Sequence, residues 1–151
     1  MMHNIYSLNQ LSQPQNPVPV QLRVLVVDDN AIDLMLHKRI VAHHMPNCNT
    51  IGFQHAANAL QYLMEHEGEA TYTLILLDIQ MPEMDGYEFV AHLHNCPPTV
   101  KEKCIIVMVS SAHDEYNHIV HPSLQLVKQK LPKPLVPASF KDVMNNILLH
   151  I

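Results

Sequence analysis

Unbroken apolar runs of strand length recur along this chain, and between them the apolar positions open out to the spacing of a helix face. The first run, QLRVLVV at 21–27, is short and β-branched. NAIDLMLHKRIVAHHM at 30–45 then places Ile32, Met35, Leu36, Ile40 and Val41 on one face of a predicted helix, which Pro46 stops. A weak strand over 49–54 precedes a helix that begins at Ala56 and ends near Gly68. YTLILLD at 72–78 and KCIIVMVSS at 103–111 are continuous apolar runs, as in strands covered on both faces. Between them DGYEFVAHLHN at 85–95 reads as a helix closed by Pro97 and Pro98. AHDEYNHIVHPS at 112–123 reads as a short helix ending before Pro122, LQLVKQK at 124–130 as the last strand, and PASFKDVMNNILLH at 137–150 as a helix opened by proline. Five strands alternating with five helices predict a doubly wound parallel α/β sheet. Residues 1–20 are polar and irregular, with Pro14, Pro17 and Pro19 removing backbone donors, and are predicted to be a disordered tail outside a domain at 21–151.

Composition narrows the function classes. A length of 151 residues with 48% hydrophobic content suits one domain with a sizeable core. Nine Lys and Arg against 14 Asp and Glu give a formal charge of -5, which argues against a nucleic-acid surface and points to proteins or small ions as partners. No apolar run approaches the roughly 18–20 residues of a membrane helix, and no basic stretch with an apolar signal core opens the chain, so a cytoplasmic location is expected. Cys48, Cys96 and Cys104 lack C-x-x-C spacing and are expected to be reduced and mostly buried. The 12 histidines are scattered, and pairs such as His43 with His44 or His92 with His94 bring no third ligand nearby in sequence, so surface histidines are expected rather than a zinc or copper site.

In sheets of this class, ligands bind beyond the carboxyl ends of the strands. That rule gathers Asp28 and Asp29 after the first strand, Asp78 after the third, Ser110 at the end of the fourth and Lys133 after the fifth. Each has a plain alternative. Asp29 or Asn30 could cap the next helix, Asp78 could cap a turn shaped by Pro82 and Gly86, and a lone lysine is commonly solvated. The joint placement favours a site, because three crowded carboxylates repel unless a cation sits among them. Mg²⁺ suits oxygen donors and keeps positions open for a phosphate. A carboxylate beside such an ion and a lysine can act as a nucleophile toward phosphorus.

The motifs VLVVDDN, LILLDIQMPEMDGYEF, IIVMVSS and LPKPL, in this order and spacing, resemble the receiver domain of two-component response regulators; the D-x-x-M-P-x-M-D-G segment starting at Asp78 is the most specific of them. The resemblance covers the chain from about Leu22 onward. It implies a flavodoxin-like five-stranded sheet in the order 2-1-3-4-5, and Asp78 as acceptor of a phosphoryl group from a sensor histidine kinase, a histidine phosphotransfer protein or a small acyl phosphate. It further implies that Asp29, Asp78 and the backbone carbonyl of Gln80 ligate Mg²⁺ directly and that Asp28 does so through water. Ser110 corresponds to the hydroxyl that swings toward the phosphoryl oxygens, and Lys133 to the lysine that pairs with them, followed by a cis peptide to Pro134.

One position departs from the pattern. Where the family carries an aromatic or histidine ring three residues before the lysine, this chain has Lys130, which fills an inner pocket only at a desolvation cost. Pro132 also removes a ladder donor at the end of the last strand. With one helix after Lys133 and a polar tail before Gln21, a stand-alone receiver is expected, signalling through its fourth-helix, fifth-strand and fifth-helix face to a downstream protein or serving as a phosphorelay shuttle or sink. A homodimer through that face is compatible. Gln80 and Ala112 offer no carboxylate to activate water, so slow self-dephosphorylation is expected. Two rivals are a degenerate receiver that binds partners without phosphorylation and an aspartyl phosphohydrolase; the latter needs a second aspartate where Gln80 stands.

Overall fold

Alternate residues of a strand point to opposite faces of its sheet, and in this protein the two sets feed two separate cores. The computed structural model describes residues 21–111 and 121–151. Strands β1 (Gln21–Val27), β2 (Asn49–Phe53), β3 (Thr71–Asp78), β4 (Cys104–Ser110) and β5 (Val127–Pro132) form one parallel sheet in the order β2-β1-β3-β4-β5. This is the predicted doubly wound topology. Helices α1 (Ala31–His44), α2 (Ala56–Glu65), α3 (Gly86–His94), α4 (Pro98–Lys101) and α5 (Pro137–Leu148) cover it, with a 3-10 helix at Pro122–Leu126. On one face Leu25, Val27, Ile75, Leu77, Ile106 and Met108 pack with Ala59 and Leu63 of α2 and Phe89, Val90 and Leu93 of α3. On the other, Val24, Val26, Leu74, Leu76, Ile105 and Val107 pack with Ile40 and Val41 of α1 and Phe140, Val143 and Ile147 of α5. Burial on both faces explains why β1, β3 and β4 are unbroken apolar runs.

Four expectations are corrected. The predicted face of α1 holds at Ile40 and Val41, but Ile32, Met35 and Leu36 are 72%, 50% and 39% exposed, and Leu34 and His37 turn inward instead. Pro98 does not only close α3; proline at a first helical position needs no donor, and Pro98 opens the single turn of α4. The last strand begins at Val127 rather than 124, because Leu124 and Leu126 sit in the 3-10 turn and pack against the α3 core. The helix read near Gly68 ends at Glu65, and Gly68 takes φ 86 in the turn that follows. The tail predicted for 1–20 and nearly all of the short helix predicted for 112–123 lie outside the described residues. The peptide between Lys133 and Pro134 is cis, as expected. Cys104 is buried, Cys48 and Cys96 are half-buried, and all three are free thiols.

Candidate functional site

The loop after β1 answers what two adjacent aspartates do at the end of a buried strand. Asn30 is the cap of α1: its Oδ1 accepts from the backbone N–H groups of Ile32 at 2.9 Å and Asp33 at 3.2 Å. The carboxylates of Asp28 and Asp29 are thereby left for other work. The same division holds after β3, where α3 is capped by Asp85 in a reciprocal box with Glu88, at 2.8 and 2.9 Å, and not by Asp78. Gly86 lets this loop fold back on the strand. Its N–H donates to the Ile79 carbonyl at 2.8 Å, and a Cβ there would stand 2.8 Å from the carbonyl oxygen of Asp78 and 2.9 Å from Cα of Ile79.

Asp28, Asp29 and Asp78 converge, with one oxygen from each lying within 4.8 Å of the others. Asp28 and Asp78 are 1% and 5% exposed, whereas Asp29 faces solvent. Asp28 Oδ1 accepts from the Asn30 N–H at 2.9 Å. Lys133 reaches in from the end of β5, placing Nζ 2.9 Å from Asp28 Oδ2 and 3.2 Å from Asp78 Oδ1. The register of β4 sets this reach: the Lys133 N–H donates to the Ser110 carbonyl at 2.7 Å and continues the ladder past Pro132, which has no donor. Ser110 ends β4 beside the Asp78 end of β3. Gln80 is exposed, and its side-chain carbonyl accepts from the Ser111 hydroxyl at 3.1 Å. The site residues named from the sequence thus come to one edge of the sheet; Ala112 lies outside the described residues.

The electrostatics follow from the crowding. Burial pushes the Asp78 carboxyl up from 3.8 to about 6, the Asp28 charge pushes the same way, and Lys133 only partly opposes them. Burial alone would lower Lys133, but its bonds to Asp28 and the charges of Asp28 and Asp78 outweigh it and raise its pKa well above the ordinary value. Hard carboxylate oxygens with more negative charge than one ammonium neutralises are the donor set a small divalent cation prefers, so these residues fit Mg²⁺.

Two contributors were not singled out from the sequence. Asp33 in the first turn of α1 places Oδ2 3.1 Å from Lys133 Nζ. His37, one turn later and buried, places Nδ1 3.7 Å from Asp28 Oδ2, and burial lowers its pKa. The signal available was the i, i+4 spacing of Asp33 and His37, two polar residues on one side of α1 in the turns before Ile40 and Val41. Lys130 behaves as its chemistry requires. It stays exposed, donates to the Tyr87 hydroxyl and lies 4.9 Å from the centroid of that ring.

Comparison with known proteins agrees with the geometry. The model of the response regulator receiver domain matches residues 24–145. The two-component response regulator ARR22 of Arabidopsis thaliana is 35% identical over 129 residues, covering 83% of this chain and 83% of that protein. ARR2 of the same plant is 26% identical over 88% of this chain, which spans only 18% of that longer protein. The crystal structure of a response regulator receiver protein from Dyadobacter fermentans superposes with a TM-score of 0.67 at 26% identity, covering 83% of this chain and 96% of that one. None of the helices among the described residues is long and apolar enough to cross a membrane. With the fold, the acidic triad and these likenesses in agreement, the chain belongs to the response regulator receiver domain family, the signalling phosphoacceptors of two-component systems rather than classical enzymes.

Proposed function

We propose that Asp78 accepts a phosphoryl group from a phosphohistidine of a sensor kinase or phosphotransfer protein, in a Mg²⁺-dependent step that switches docking on a downstream protein or passes the group along a relay. The observation that carries this reading is the buried Asp78 carboxylate at 3.2 Å from an ammonium and clustered with two further carboxylates. In the step, an Asp78 carboxylate oxygen bonds to phosphorus as the P–N bond to the donor imidazole breaks, and the imidazole keeps the bonding pair. Lys133 pairs with a phosphoryl oxygen, and Ser110 supplies a hydroxyl donor to another. Asp29, Asp78 and the backbone carbonyl of Gln80 would hold the metal, with Asp28 acting through water; when bound, the ion offsets the negative charge gathered at phosphorus.

The exposed apolar patch of α1 supports a protein donor. Ile32, Met35 and Leu36 border the loop that carries Asp28 and Asp29, so a donor helix covering them would bring its phosphohistidine to the site. Among the described residues, the exposed side chain two positions past the acceptor is the amide of Gln80 rather than a carboxylate, which favours a long-lived phosphoryl group. Intact mass after incubation with acetyl phosphate tests the reading. A phosphoryl increment should form with wild type and Mg²⁺, and should be absent with Asp78→Asn or with a chelator. Lys130 in place of the usual ring favours a second reading, a binding module that needs no phosphorylation; that reading requires equal partner affinity for wild type and Asp78→Asn with or without phosphodonor.

A further inference from the structure

We infer that Asp33 is a positioning residue, a tether on α1 that keeps the Lys133 ammonium over Asp78. The inference rests on the phosphoacceptor reading above and adds a residue outside that reading's site. Lys133 Nζ has three donors and meets three carboxylates: Asp28 at 2.9 Å, Asp33 at 3.1 Å and Asp78 at 3.2 Å. Two of these belong to the converging cation cluster; Asp33 does not. With a cation held by Asp28, Asp29 and Asp78, the charge that draws the ammonium toward Asp28 and Asp78 would be offset, and Asp33, outside that cluster, would be the carboxylate left to hold Lys133. Its own position is fixed from below, because its backbone N–H donates at 3.2 Å to the Asn30 cap.

The solvent exposure fits this role. The Asp33 side chain is 34% exposed, so its carboxylate keeps part of its hydration, while the Lys133 side chain is 17% exposed on a flexible four-carbon stem. Without a partner at the rim, that stem is free to swing its ammonium toward water, since hydration of a compact ammonium is strongly favourable. Three donors also allow Lys133 to keep Asp33 and bond a phosphoryl oxygen at once, so the tether does not have to break for the group to be received.

Two measurements on the full chain test this. The first is brief acetylation with an N-hydroxysuccinimide ester, with and without Mg²⁺, comparing by peptide mass the modification of Lys133 with that of exposed Lys141. Asp33→Ala should raise the Lys133 to Lys141 ratio about three- to fivefold, the size of a half-exposed ion pair, with the larger change in Mg²⁺, and Asp33→Glu should return it toward wild type. The second is the rate of phosphorylation by acetyl phosphate at saturating Mg²⁺. Asp33→Ala should lower the maximal rate about three- to fivefold with little change in half-saturating donor, and in a Lys133→Ala background the same substitution should have no effect. Unchanged labelling, faster phosphorylation in Asp33→Ala, or an undiminished effect without Lys133 would each overturn the tether. If wild type itself gains no phosphoryl group, the phosphoacceptor reading fails instead, and the labelling ratio still decides whether Asp33 holds Lys133.

Discussion

The charge crowding at Asp78 should make the acceptor a source of instability in the absence of metal. Its carboxyl titrates at about 6 in the folded protein against 3.8 for an ordinary aspartate, a consequence of burial and of Asp28. A raised acid pKa means that the folded state binds the proton more tightly than the unfolded state. Stability linked to this group is therefore fully present below about pH 4, falls as pH rises through the interval between the two values, and stays lower above about 6. About two units at ~1.36 kcal/mol each set an upper bound near 3 kcal/mol. Asp78→Asn keeps the shape and removes the charge. It should be more stable than wild type by about 1–3 kcal/mol at pH 7.5 in a chelator, and the advantage should shrink toward zero near pH 4. The chain has 0 tryptophans, so urea unfolding should be followed by far-ultraviolet circular dichroism. With m near 1–3 kcal/mol/M, a midpoint shift of about 1 M is expected. Adding Mg²⁺ should narrow the gap by stabilising wild type more than the variant. A variant less stable than wild type, or a difference that does not depend on pH, would refute the reasoning.

Other perturbations read other parts of the site. Gly86→Ala forces a Cβ to within 2.8 Å of the Asp78 carbonyl oxygen, so it should lower stability by about 2 kcal/mol or more in chemical denaturation and slow phosphorylation by acetyl phosphate as the loop after β3 moves. Asn30→Ala removes the acceptor for two N–H groups of α1 and should cost about 1 kcal/mol in the same unfolding assay, while leaving Mg²⁺ affinity, measured by NMR titration, within a few-fold of wild type. Ile32→Glu and Met35→Glu alter exposed positions, so unfolding midpoints should barely change and acetyl phosphate should act at the wild-type rate. Transfer from a phosphorylated histidine donor protein, followed by phosphate-affinity electrophoresis, should fall at least about tenfold for either variant, since a charge is buried unpaired in the donor contact.

Much of this was legible from residues alone because buried parallel strands must be apolar without interruption, so Asp28, Asp78 and Ser110 stand out at the points where β1, β3 and β4 leave the core. The strand-end rule then gathers them without any knowledge of side-chain positions. Helix faces were less readable. Ile32, Met35 and Leu36 have the apolar spacing of a core stripe, yet they are exposed, and the inward side of α1 near the site is occupied by Leu34, Asp33 and His37. Hydrophobic periodicity assumes that the buried face is the greasy one, and a charged site beneath the helix violates that assumption. The contact of Lys133 with Asp33 as well as Asp28 could not be inferred from spacing, since the two aspartates lie 100 and 105 positions earlier in the chain and only the sheet order brings them together. The start of β5 was misplaced because Leu124 and Leu126 satisfy the apolar pattern of a strand while the backbone forms a 3-10 turn.

The edge at β5 gives the molecule a further property. An outermost strand normally offers its unpaired backbone groups to any passing extended chain, but this one carries exposed Lys128, Gln129 and Lys130, slips register opposite Ile106 and Val107, and ends in a proline. Like charges facing one another across a prospective new pair, together with a kinked backbone, discourage copies of this domain from zipping together side by side. A sheet that ends in such a strand can thus carry an edge without becoming a seed for aggregation.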